Sequence, residues 1–110
     1  MILLTIHVDV PKKNHPEFLQ TLASIGNEVR KLPGCLSYQI HQDVETESML
    51  SLELEWDHND ALRSYLKSRN FSITMGAIKT FCVSPIIKLG KLVHIDQQNL
   101  LDNNYITQIV

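Results

Sequence analysis

In Met49-Leu50-Ser51-Leu52-Glu53-Leu54-Glu55-Trp56 apolar and polar residues alternate without a break from Leu50 on. A period of two sends successive side chains to opposite faces of a strand, so Leu50, Leu52, Leu54 and Trp56 share a buried face. Asp57 or Asn59 then offers a helix cap, and Ala61, Leu62, Tyr65 and Leu66 follow at helical spacing. Ser68-Arg69-Asn70 interrupts, and a second helical set begins with Phe71, Met75 and Ile78 at gaps of four and three.

Outward from this stretch, the pattern repeats in simpler form. Ile2, Leu4, Ile6, Val8 and Val10 alternate with Leu3, Thr5, His7 and Asp9, which predicts a first strand ended by Pro11. Asn14 and Glu17 stand at capping-box spacing with Pro16 in the first turn. Phe18, Leu22, Ile25, Val29 and Leu32 recur at gaps of four and three, giving one long amphipathic helix stopped by Pro33-Gly34. Leu36, Tyr38 and Ile40 alternate with Ser37, Gln39 and His41 in a second strand, and Asp43–Ser48 connects it to the central one. Val83–Leu92 reads as a last strand with Pro85 near its start, where a missing donor is tolerated at a sheet edge.

The resulting order, βαββαβ, is the ferredoxin-like α+β arrangement: an antiparallel sheet ordered 4-1-3-2 with helices on one face. The helix-facing side carries Ile6, Leu36, Tyr38, Leu52, Leu54 and Trp56; the other carries Thr5, His7, Ser37, Gln39, His41, Ser51, Glu53 and Glu55. Leu3, Met49, Ile86 and Leu92 add apolar surface to that open face and favour burial against a second copy.

A chain of 110 residues fits one domain. The formal net charge is −2 with both signs scattered, so no basic stripe invites nucleic acid. No apolar run reaches the ~20 residues of a membrane span. The N-terminal alternation reads as a strand rather than a signal peptide, and a cytoplasmic protein is expected. Cys35 and Cys82 lack metal-site spacing, and as residues of opposite edge strands about 14 Å apart they cannot bond, since a disulfide needs Cα atoms within ~7 Å.

A strand ending in Trp56, a helix, Ser68 and then Phe71 three residues later resembles the antibiotic biosynthesis monooxygenase family of small dimeric α/β-barrel proteins. Pro85 and Ile86 before the last strand fit that family's closing segment. The resemblance covers residues 1–92 as one domain and leaves 93–110 as a C-terminal extension. It implies a homodimer in which two sheets pack face to face, and a substrate cleft between helices and sheet. It also implies oxygenation of a small aromatic or quinol-type ligand without metal or flavin, where an electron-rich substrate anion meets O₂ directly. The alternative is a non-catalytic small-molecule binder or dimerisation module of the same fold.

Mapped residue by residue, the resemblance gives a pocket of Tyr38, Leu54, Trp56, Phe71 and Met75, with Tyr65 and His7 as candidate catalytic groups. Side chains of this kind also fill ordinary cores. Two departures matter. Family members often carry Glu where this chain has Leu54, and the haem-degrading branch places His where Met75 stands and Trp where Tyr65 stands. Haem degradation is disfavoured accordingly.

The five histidines, His7, His15, His41, His58 and His94, suggest no metal centre. His7 and His41 share a sheet face but stand about 10 Å apart with a strand between them, too far for one ion. His15 and His58 fall at helix starts and are expected in solvent. The extension ends in Tyr105-Ile106-Thr107-Gln108-Ile109-Val110, whose alternation predicts a short strand or docking segment at the dimer.

Overall fold

The computed structural model describes residues 1–93. Its elements are β1 (Ile2–Asp9), α1 (His15–Val29), β2 (Cys35–Gln42), β3 (Met49–Trp56), α2 (Asn59–Leu66), α3 (Arg69–Phe81) and β4 (Val83–Lys91). The four strands form one antiparallel sheet in the order β2-β3-β1-β4, which is the expected topology. The fold is therefore α+β and ferredoxin-like. The expected extension lies, beyond Val93, outside the described residues, as does His94.

Alternation decides the layering. Ile2, Leu4, Ile6 and Val8 of β1 and Leu50, Leu52, Leu54 and Trp56 of β3 are all buried beneath the helices. From α1, Phe18, Leu22, Ile25 and Val29 complete the core, while α2 adds Ala61, Leu62 and Tyr65 and α3 adds Thr74, Ala77 and Ile78. Trp56 and Leu54 are wholly enclosed, as the strand pattern requires.

Three local expectations need correction. Leu36 does not share the Tyr38 face: a β-bulge between Cys35 and Ser37 sets Cys35 opposite Trp56 and leaves Leu36 49% exposed. The extra residue of a bulge goes unpaired and turns its side chain aside, which a plain period of two does not anticipate. Asn14 caps α1 by position but makes no side-chain cap bond; its Nδ2 donates to Phe81 O across the molecule at 3.5 Å. Neither Asp57 nor Asn59 caps α2, a task that falls to His58.

The open face runs in cross-strand rows. His7, Ser51 and His41 share one row with Ile86 at its end, and Thr5, Glu53 and Gln39 share the next with Lys88. His41 pairs with Glu53 at 3.0 Å there. β4 holds no buried residue: even Ile87 and Leu89, opposite Ile6 and Leu4 on the helix side, are 49% and 60% exposed. Cys35 and Cys82 carry free thiols.

Tyr38 is pinned from three sides. Its hydroxyl donates to Leu22 O at 2.8 Å, and its own carbonyl accepts from the Arg30 guanidinium at 2.9 Å. Its ring passes so close to α1 that a Cβ on Gly26 would lie 2.5 Å from Tyr38 Cε1. Gly26→Ala should therefore destabilise the fold by about 1–3 kcal/mol, the usual scale of overpacking. Urea denaturation of the two proteins checks this, and an unchanged midpoint would show that the ring can retreat.

Candidate functional site

The end of β3 turns into α2 across a short polar link, and that geometry makes a cleft. Gly34, at φ +82° between α1 and β2, accepts Asp57 N–H at 2.8 Å and holds the two chain ends together. A side chain there would strike Ala61, since a Cβ would sit 2.5 Å from the Ala61 Cβ in a backbone region that favours glycine. Between these segments opens a cleft of about 300 Å³, with Leu32, Pro33, Trp56, His58, Ala61 and Tyr65 on its walls and Asp60, Ser64 and Ser68 around them.

Aromatic contacts fix its floor. Trp56 and Tyr65 lie 4.9 Å apart between ring centroids, and Tyr65 meets the edge of Phe71 at 5.3 Å. Ser68 caps α3 by accepting Phe71 N–H at 3.2 Å, and its own hydroxyl donates back to Tyr65 O at 2.6 Å. One residue thus orders both helices around the aromatic set.

Two buried polar atoms here have no hydrogen-bond partner among the described residues: Trp56 Nε1 and the Tyr65 hydroxyl. Each such orphan costs about 1–3 kcal/mol. Thr74 lies near enough to Tyr65 to lower the phenol's pKa somewhat, but its hydroxyl donates to Asn70 O at 2.9 Å and no well-formed bond to Tyr65 results. Burial dominates and pushes the Tyr65 phenol from its ordinary 10.0 up to about 12. At neutral pH this group is a proton-bearing donor.

The structure divides the residues singled out from sequence. Trp56 and Tyr65 border the cleft together. Phe71 backs Tyr65, and Met75 packs half-buried against the core. Leu54 is fully enclosed, and Tyr38 is tied beneath α1. His7 lies on the open side of the sheet in a shallow depression with His41 and Met49, so it and Tyr65 occupy opposite faces.

His58 is exposed, as expected at a helix start, and it also lines the cleft. Its Nδ1 accepts Ala61 N–H at 3.2 Å, capping α2. Capping preferences rank Asn, Asp, Ser and Thr first, which directs attention to its neighbours. His15 is likewise engaged, its Nε2 2.7 Å from Val10 O. Among the described residues, no three His, Cys, Asp or Glu side chains gather as a metal site would need, and no helix is long and apolar enough to cross a membrane.

Comparisons with known proteins agree with this architecture. The family model described as antibiotic biosynthesis monooxygenase matches residues 1–76. No curated protein matches the sequence. Among solved structures, a protein from Deinococcus radiodurans assigned as an antibiotic biosynthesis monooxygenase superposes with a TM-score of 0.76 at 19% identity, covering 87% of this chain and 99% of that one. A protein so assigned from Caulobacter crescentus gives 0.77 at 21% identity over 84% and 90% of the two chains. A mutant of SnoaB, a cofactor-independent oxygenase from Streptomyces nogalater, gives 0.75 at 15% identity over 86% and 94%. At such identities the likeness establishes the fold.

The raised pKa values carry a stability signature. Folded Tyr65 keeps its proton to about pH 12, whereas the unfolded phenol releases it near 10.0, so the folded state binds more protons in that window. Stability present below the unfolded value is lost as pH climbs through it. Cys82 acts the same way, raised from 9.0 to about 11 by burial and by the nearby Asp9. Urea midpoints should hold steady to about pH 9 and then fall, and Tyr65→Phe should flatten the fall above pH 10. A midpoint rising between pH 9 and 11 would contradict the assigned burial.

Proposed function

The chain belongs to the antibiotic biosynthesis monooxygenase family, and from that premise we propose that it is a monooxygenase working without metal or organic cofactor. Its substrate is a small aromatic or quinol-type molecule held in the cleft beside Trp56 and Tyr65. The observation that carries this reading is a cleft lined by Trp56 and Tyr65, each of which has a buried donor without a partner among the described residues. A buried donor without a partner calls for an explanation, and a ligand in an adjoining cleft is one.

The chemistry suits a site of this kind. A quinol plus O₂ gives a hydroxyquinone plus water: the deprotonated substrate passes electrons to O₂, one oxygen stays on the ring carbon and the other leaves as water. Most of what the protein must supply is orientation, a dry pocket and stabilisation of the substrate oxyanion. Tyr65, with its proton held to about pH 12, serves as donor to that oxyanion and not as the base. Trp56 Nε1 is the second donor, and Phe71 fixes the Tyr65 ring. His7, on the other face of the sheet, takes no part in this scheme.

One observation favours a binder that does not turn over: the buried wall of the cleft offers no free basic side chain, and Leu54 is sealed in the core. Oxygen uptake separates the two readings. With a panel of benzene- and naphthalene-quinols, the wild type should consume O₂ above the uncatalysed rate, and Tyr65→Phe should lower kcat/KM by roughly ten- to a hundredfold, the worth of a hydrogen bond to a charged group. Uptake no faster than without protein, for every quinol that binds, would establish the binder.

We also propose that the open sheet face pairs two copies about a two-fold axis, in the cytoplasm. Leu3, Met49 and the 53%-exposed Ile86 give that face apolar points, and the His7–Ser51–His41 row gives it polar ones that can pair when dry. Light scattering across a dilution series should report twice the chain mass at micromolar concentration, and a monomer there would refute the pairing.

A further inference from the structure

Every residue of β4 is exposed, and its apolar side chains stand on both faces of the sheet. Ile86 lies opposite His7 on the open side, whereas Ile87 and Leu89 lie opposite Ile6 and Leu4 on the helix side. With Val83, all of them remain in solvent. β4 pairs with β1, and among the described residues its outer edge carries an unpaired row of backbone N–H and C=O groups. A long apolar edge of this kind is a template for another strand, and proteins either blunt such edges or cover them.

The two edges of the sheet differ in this respect. β2 is blunted: it bulges after Cys35 and turns Gln39, His41 and Gln42 to water. β4 carries Lys88 and Lys91, yet it keeps Val83, Ile86, Ile87 and Leu89 exposed between and before them. A second copy on the open face covers Ile86 and leaves Ile87 and Leu89 in water. That pairing does not complete this edge.

We infer that residues 105–110 of the same chain add to the outer edge of β4 as a fifth strand. They lie outside the described residues, so the inference stands on what β4 lacks and on what the sequence supplies. Pro85 has no N–H to give a ladder, so pairing along this edge begins after it, over residues 86–91. Residues 105–110 match that stretch in length. Tyr105, Ile106, Thr107, Ile109 and Val110 favour strands. Alternation sends Tyr105 and Ile109 to one face and Ile106 and Val110 to the other, so β4 gains apolar cross-strand neighbours on both. Charge agrees as well: β4 offers Lys88 and Lys91, and residues 94–110 carry Asp96 and Asp102 with no Lys or Arg. Residues 92–104 reach about 40 Å when extended, at ~3.3 Å per residue, which exceeds the length of β4. Tethering then decides the occupant, because a short link presents the segment to its own edge at about millimolar effective concentration. A second copy at micromolar concentration competes poorly with that. The inference is independent of the cleft and its chemistry.

Hydrogen exchange of the whole chain, read by mass spectrometry, tests it. In the wild type, residues 86–91 and 105–110 should both exchange at least about tenfold slower than in the double variant Ile106→Asp/Ile109→Asp. β3 should exchange alike in the two proteins, and the wild-type protection should persist on dilution to nanomolar concentration. Residues 105–110 exchanging at the rate of an unstructured peptide in the wild type would overturn the inference, whatever the variant does. Equal protection of residues 86–91 in both proteins would overturn it too. Protection that fades from both segments as the wild type is diluted would give the edge to a second copy, and docking within one chain would be wrong.

Discussion

The contact between Trp56 and Tyr65 is the constraint on which the rest of the site depends. It joins the last residue of the central strand to the only long side chain that α2 turns fully inward, at 4.9 Å between rings. Tyr65 passes the contact on to Phe71 and so to α3, while Gly34 and Ala61 close the space beside it. Remove the stack and α2 loses its anchor, because its other buried residues, Ala61 and Leu62, offer far less surface. The helix is short, and short helices stand by tertiary packing more than by propensity.

That same contact explains why the two orphaned donors persist. An indole N–H or a phenol O–H in an ordinary core rotates or repacks until it finds an acceptor, since leaving it alone costs about 1–3 kcal/mol. Here both rings are packed against other rings and backbone. Trp56 is held by the β3 register opposite Ile2 and Cys35, and Tyr65 is wedged between Trp56 and Phe71. The fold thus leaves two donors unpaired within one aromatic cluster, and satisfies Tyr38, the other tyrosine of the described residues, through Leu22 O. Two tyrosines with the same chemistry are in this way given different work by their surroundings.

Much of the fold was legible because one face of the sheet is buried and period two is a strong signal where that holds. Leu50 to Trp56 and Ile2 to Val10 announce their faces residue by residue, and the chain order then leaves few topologies. What stayed hidden depended on single backbone events or on partners distant in sequence. The bulge at Cys35 that exposes Leu36 has no compositional mark, and nothing near Asn14 points to Phe81 O. The site was half legible for the same reason. Trp56 and Tyr65 could be chosen by spacing, but Leu32 and Pro33 reach the cleft only through the loop geometry that Gly34 permits. His58 is the surface histidine its position suggests, but that it caps α2 and also lines the cleft shows only in three dimensions.

The raised Tyr65 pKa changes which mechanism this chain can run. A tyrosine offered as a base must lose its proton near working pH, and burial among Trp56, Phe71 and Thr74 forbids that up to about pH 12. Burial does the opposite for a donor: it keeps the proton in place and removes competing water, so the bond to a ligand oxyanion strengthens as the surroundings dry. Deprotonation is then left to the substrate's own acidity, to solvent at the cleft mouth or to the exposed Asp60 carboxylate there. A site built this way favours substrates that are already acidic, and catalysis by it consists of stabilising an anion that forms readily while O₂ finds it. The apolar Leu54 and Met75, which weigh against a base buried beneath the aromatic set, are compatible with a site whose proton leaves at the cleft mouth.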